Sequence, residues 1–140
     1  MELVSATLQD LPVLVDWVER FYRDDQHRFD RREITRSLEE LVSEPALGRA
    51  CLLQVDSDRI GYLIVTFGWS LEYFGRDAFI DELFIVAERR NQGHGAAAIR
   101  ALEVELQSLG VRAVHLEVNA DNPAANLYRR LGYQPHRSSF

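Results

Sequence analysis

Val86-Ala87-Glu88-Arg89-Arg90-Asn91-Gln92-Gly93-His94-Gly95-Ala96 is the stretch on which the fold turns. It joins a β-rich run, Ala78 to Val86, to the clearest helical pattern in the chain, residues 93 to 109. There Ile99, Leu102, Leu106 and Leu109 share one face and Gly110 supplies the stop. A helix start leaves four backbone N–H groups without internal partners and carries partial positive charge. Glycines at 93 and 95 let an anion approach those donors closely. A dinucleotide fingerprint would need another glycine where Ala98 stands, and the Gly-Lys-Ser/Thr of a P-loop is missing. Taken locally, the segment reads either as a phosphate-binding turn of another kind or as a plain tight turn.

Downstream, Val111 to Val118 has Val114, Leu116 and Val118 on one face of a strand. Asn122 then caps a short helix with Pro123 at its first position and Gly132 at its end, and Tyr133 opens a last extended piece. Upstream, Leu3 to Leu8 reads as a strand, and Asp10 precedes a helix over 11 to 24 built on Leu11, Leu14, Val15, Val18 and Tyr22. A polar loop follows. Asp30 with Glu33 then starts a second helix, marked by Ile34, Leu38, Leu41 and Val42 and stopped by Pro45. Arg49 to Val55 and Arg59 to Trp69 form a hairpin about Asp56-Ser57-Asp58, and Ser70 to Asp77 reads as an aromatic loop. The order β-α-α-β-β-β-α-β-α-β, with no linker-like break, predicts one α/β domain over residues 1–140 with a mixed sheet.

Composition narrows the function. The chain has 140 residues and a formal net charge of −6, which argues against nucleic acid as a partner and leans toward a cationic one. The apolar stretch Tyr62 to Trp69 is far short of the ~20 residues of a membrane span, and the first residues lack a secretory leader's pattern. Cys51 is the single cysteine, excluding an intrachain disulfide and a cysteine metal site, so a cytoplasmic location is the default. No histidine pair has metal-ligand spacing, and no metal is expected.

Arg90-Asn91-Gln92-Gly93-His94-Gly95 resembles the R/Q-x-x-G-x-G/A signature of the GNAT superfamily of N-acetyltransferases. Asn122 to Tyr133 resembles the same family's N-x-x-A-x-x-L-Y-x-x-x-G-F/Y segment. The two motifs stand in family order, separated by one helix and one strand. The resemblance implies a GNAT-like fold, α/β (α+β), with a largely antiparallel mixed sheet and helices on both faces. It also implies acetyl-CoA as co-substrate and a primary amine as acceptor, attacked directly with no covalent enzyme intermediate. Spermidine/spermine-type and thialysine-type acetyltransferases are the nearest flavour, and a small polyamine- or diamine-like acceptor is preferred. A lysine side chain or protein N-terminus, or a silent acyl-CoA-binding sensor, are the alternatives.

By the same resemblance, Leu83, Phe84 and Ile85 contact the pantetheine arm. Arg90, Asn91, Gln92, Gly93, His94, Gly95 and Ala96 hold the pyrophosphate through backbone groups, with the His94 side chain pointing out, and Asn122 contacts the cofactor's arm. Tyr128 aligns with the tyrosine general acid near the thioester sulfur; from the residues alone it is equally a core aromatic on the Ala124–Leu127–Tyr128–Leu131 stripe.

A protonated amine must lose its proton before attack, so a base is needed. Asp81 and Glu82 are the candidates, and strand alternation sends them to opposite faces, so only one should reach the substrate. In the named relatives a glutamate precedes an aspartate; here the order is reversed, which shortens the side chain at 81 and favours a bridging water. Trp69, Glu72 and Tyr73, from the aromatic loop, and Tyr22 are the expected acceptor-pocket residues. After Tyr133 the sequence is short for the family's closing hairpin, so a homodimer that covers an exposed sheet edge is a further expectation.

Overall fold

The computed structural model describes residues 1–118 and 122–135. Its elements are β1 (Glu2–Ser5), α1 (Leu11–Asp24), α2 (Arg31–Ser43), β2 (Gly48–Val55), β3 (Asp58–Ser70), β4 (Gly75–Ile85), α3 (His94–Ser108), β5 (Ala113–Leu116) and α4 (Ala124–Arg130), with 3₁₀ turns at Leu8–Asp10 and Ala87–Arg89. The five strands lie in sequence order in one sheet. β1 to β4 pair antiparallel, and β5 returns through α3 to pair parallel with β4.

Helix starts obey local chemistry. The Asp30 carboxylate accepts the Glu33 N–H at 3.1 Å, as the Asp-x-x-Glu pattern predicts. Pro12 occupies the first turn of α1, where a missing N–H costs nothing. The register then sorts the sheet into two faces. Leu52, Tyr62 and Phe84 stand opposite one another, and Phe21 of α1 packs edge-on against both aromatic rings. On the other face Arg49 reaches Glu105 of α3, and Ile99, Leu102 and Leu106 are buried there. Helices therefore cover both faces of the sheet.

Two sequence expectations change. The β3–β4 pairing continues to Ser70–Gly75, so Ser70 to Asp77 is not a loop. Only Leu71–Phe74 turn the chain. Alternating Phe67, Trp69, Arg76 and Ala78 continue the ladder, which a local aromatic–glycine reading mistakes for irregular structure. The first strand is also shorter than expected, because Leu8–Asp10 coil into a 3₁₀ turn closed by the Asp10 carboxylate on the Thr7 N–H. The helix starts one residue later than expected, with Pro123 at the cap position and Asn122 just before it, its Oδ1 accepting the Ala124 N–H at 2.9 Å. Beyond Tyr133, the predicted extended piece continues into residues 136–140, which lie outside the described residues.

Candidate active site

The β3–β4 ladder slips once. Ile64 faces Glu82 and Val65 faces Ile80, leaving Asp81 as the extra residue of a β-bulge. Simple alternation would set Asp81 and Glu82 on opposite faces. The bulge instead resets the register, and both carboxylate residues line one cleft of about 450 Å³. The expectation that only one of them reaches the cleft is thus corrected. Val18 of α1 and Ile34, Leu38 and Leu41 of α2 make the apolar wall, and Tyr22 joins the two acids at the polar end.

Glu82 is held from two sides. Its Oε2 accepts the Tyr22 hydroxyl at 2.6 Å, and its Oε1 accepts the Tyr62 hydroxyl at 2.7 Å. Burial raises the Glu82 carboxyl above the ordinary carboxylate range and the Asp81 charge adds to this, while the two phenol hydrogen bonds oppose it. Burial, together with the Glu82 charge and hydrogen bond, pushes both phenols upward, so they stay protonated as donors. Each carboxylate oxygen keeps a second lone pair for a proton. Tyr62 is the residue that sequence reasoning missed. In Ile60-Gly61-Tyr62-Leu63-Ile64 it reads as core filler; the signal was that a fully buried phenol needs a hydrogen-bond partner.

Tyr22 lies where the sequence placed it, on the cleft, with its hydroxyl committed to Glu82. Trp69, Glu72 and Tyr73 do not join it. They sit at the far end of the β3–β4 hairpin; among the described residues the cleft includes none of them, and Trp69 is 73% exposed.

A second feature opens beside the cleft. β5 pairs β4 only from Asp77–Ala113 to Ile80–Leu116, so among the described residues no strand bonds the outer edge of Asp81–Ile85. Directly after that edge, Asn91 (φ 60°) and Gly93 (φ 80°) turn the chain into α3. The first helical bond runs from the Ala97 N–H to the Gly93 carbonyl, which leaves the amides of His94, Gly95 and Ala96 without a helical acceptor. A Cβ at Gly93 would meet nothing within 4 Å, and one at Gly95 would meet Leu127 at 3.5 Å and Leu83 at 3.9 Å. Loop, free strand edge and α4 thus converge.

The His94 ring turns inward, against expectation: its Nε2 is shut off from solvent with no hydrogen-bond partner among the described residues. The residues present fit an acyl-CoA: open amides at the start of α3 for the pyrophosphate, and a strand edge for the pantetheine amides. Three of the side chains named for the cofactor make local contacts. Arg90 Nε donates to the Ile85 carbonyl at 2.8 Å, and its guanidinium lies 3.6 Å from Asp24 and over the Phe84 ring. Gln92 Nε2 donates to the Glu88 carbonyl at 3.4 Å, and the Asn122 oxygen caps α4.

Tyr128 stands one residue after Leu127 on α4, half-buried, its phenol raised by burial and its ring 6.3 Å from Tyr133. Cys51 is buried and its thiol pushed up to about 11, chiefly by burial, which suits it poorly as a nucleophile. Among the described residues no three His, Cys, Asp or Glu side chains group as a metal site, and no helix is long and apolar enough to cross a membrane.

A family model described as Acetyltransferase (GNAT) family matches residues 11–133. A mycothiol acetyltransferase from Pseudarthrobacter chlorophenolicus is 34% identical over 118 residues, which are 80% of this chain and 35% of that protein's length. The chain thus spans about a third of that relative. The crystal structure of an integron cassette protein from the mobile metagenome of Cole Harbour Salt Marsh superposes with a TM-score of 0.86 at 30% identity, covering 99% of this chain and 86% of that one. A ribosomal-protein-alanine N-acetyltransferase from Brucella melitensis biovar Abortus superposes at 0.78 with 17% identity, over 100% and 97% of the two chains, a likeness of fold alone. With the motif loop, the free β4 edge and the family match in agreement, this chain belongs to the GNAT family of acetyltransferases.

Proposed function

We propose that the chain moves the acetyl group of acetyl-CoA to the primary amine of a small molecule, with Glu82 taking the amine's proton and Tyr128 giving one to the departing sulfur. The observation that carries this reading is Glu82 itself: a half-buried carboxylate, raised above its usual range and aimed by two phenols, in the cleft that adjoins the free β4 edge. A general base works best when its pKa approaches the operating pH, and burial moves Glu82 in that direction. Acetyl-CoA supplies the activated acyl group. On the free edge Leu83 and Ile85, which alternate with the ladder-bonded Phe84, offer outward amides, one of which would hydrogen-bond the acetyl oxygen as charge grows on it. Asp81, exposed on the bulge beside Glu82, favours a cationic acceptor, whose proton passes to Glu82 directly or through a bridging water.

A thiol-release assay with acetyl-CoA and a panel of diamines, amino alcohols, amino acids, aminoglycosides and lysine peptides tests the reading. Coenzyme A should appear only when an amine is present, matched by an equal amount of N-acetyl product. Tight acetyl-CoA binding with no turnover across the panel would favour a sensor domain instead. In the same assay Tyr128→Phe should lower kcat by about 10- to 100-fold, at the modest end of general acid effects, and leave the acceptor KM near the parent value. Unchanged kcat would return Tyr128 to a packing role.

A further inference from the structure

Thr66, Phe79 and His115 stand directly opposite one another on β3, β4 and β5, so their side chains share one sheet face. Thr66 lines the Glu82 cleft, and its neighbour in the row, Phe79, is 43% exposed, so the row runs from the cleft onto an open part of the sheet face. At the end of the row lies a built group. Asp77 is the buried acid of this face, 5% exposed, and its Oδ2 sits 3.0 Å from His115 Nε2. Its Oδ1 has no hydrogen-bond partner among the described residues. The imidazole stands between Phe79 (ring centroids 4.8 Å) and Tyr73 (5.5 Å), and its side chain is 30% exposed. Gly68, opposite Asp77, leaves the floor bare: a Cβ there would come 2.8 Å from Oδ1 and 3.7 Å from the Phe79 ring.

In the neutral imidazole, a carboxylate on Nε2 selects the tautomer with its hydrogen there, which leaves Nδ1 as the acceptor. We propose that His115, held by Asp77 and walled by Phe79 and Tyr73, is a second recognition point for the acceptor, binding a hydrogen-bond donor, hydroxyl or ammonium, at its far end. This rests on the acetyl-transfer reading above. Two strand steps and one strand spacing separate Glu82 from His115, about 8 Å. A reactive amine at Glu82 would therefore lay its body across Thr66 and Phe79 and reach His115 with a group five or so carbons away. The aromatic walls would add cation–π attraction where the far group is an ammonium.

The test compares pentylamine, aminopentanol and diaminopentane, with ethylamine and aminoethanol as acceptors too short to span the row. For the parent protein the acceptor KM should be about tenfold lower with a terminal donor on the five-carbon chain than without one, and indifferent to it on the two-carbon chain. His115→Phe keeps the ring packing; the Asp77→Asn/His115→Phe double variant also removes the buried charge that the single change would strand. Either should erase the tenfold preference while leaving kcat for pentylamine unchanged. A preference for hydroxyl or for ammonium identifies the source of the donor. If the parent shows no preference, or the variants keep it, or all acceptors weaken equally, the Asp77–His115 pair is structural and the inference fails. If the parent acetylates none of the five and no other panel amine, the acetyl-transfer reading fails first.

Discussion

Glu82→Gln should lower kcat/KM for amine acetylation by roughly 10²- to 10⁴-fold, the range of a lost general base. Glutamine keeps the length and planarity of the side chain, so the cleft shape survives. Its amide still offers an oxygen to one phenol, and the other hydroxyl can rotate to accept from the amide nitrogen. What disappears is a group able to take a proton. Acetyl-CoA affinity should stay near the parent value, because the open amides of His94 to Ala96 lie in the first turn of α3 and not on the bulge. Calorimetry and steady-state kinetics on the same preparation separate the two. A variant that retains parental kcat/KM would remove Glu82 from the chemistry and leave Asp81 or water in its place.

The second large effect is structural and reaches the site through the backbone. Gly61 pairs with Ile85, and a Cβ there would fall 1.9 Å from the Phe84 carbonyl oxygen, far inside contact distance. Neither strand can give way easily, since Ile60, Tyr62 and Phe84 are buried. Gly61→Ala should therefore cost about 3 kcal/mol, the upper end of overpacking effects, and lower Tm by roughly 10 °C for a domain of this size. Any structure that survives would have the Phe84–Ile85 edge displaced, so acetyl-CoA binding should weaken along with stability. A thermal melt unchanged from the parent would mean that the two strands lie farther apart than described.

Local periodicity and the two motifs made the four helices, the hairpin and the glycine turn legible, because each is decided by residues close in sequence. Asp30 with Glu33, Gly93 and the Ile99–Leu102–Leu106 face needed no tertiary information. The bulge was not legible: Asp81 becomes an extra residue only through the pairing of Ile64 and Val65, whose own sequence carries no mark of it. That single slip decides which face Glu82 serves. Tyr62 was missed for the same kind of reason, since its partner lies twenty residues away across the ladder. The hairpin end illustrates the converse. Trp69 looked like a pocket residue because aromatic side chains beside glycine suit a binding loop, yet the ladder carries it past the Glu82 cleft.

The pH dependence of kcat/KM, compared between the parent and the Tyr22→Phe/Tyr62→Phe double variant, tests the central claim most directly. Glu82 acts as a base only when ionised, so kcat/KM should fall on the acid side as the carboxyl takes up a proton, at a pH above the ordinary carboxylate range. Both phenol hydrogen bonds favour the ionised form, so deleting them should raise the carboxyl's pKa further and shift the acid limb to higher pH. An acid limb that stays at the parental position in the double variant would contradict the assignment of Glu82 as the clamped base.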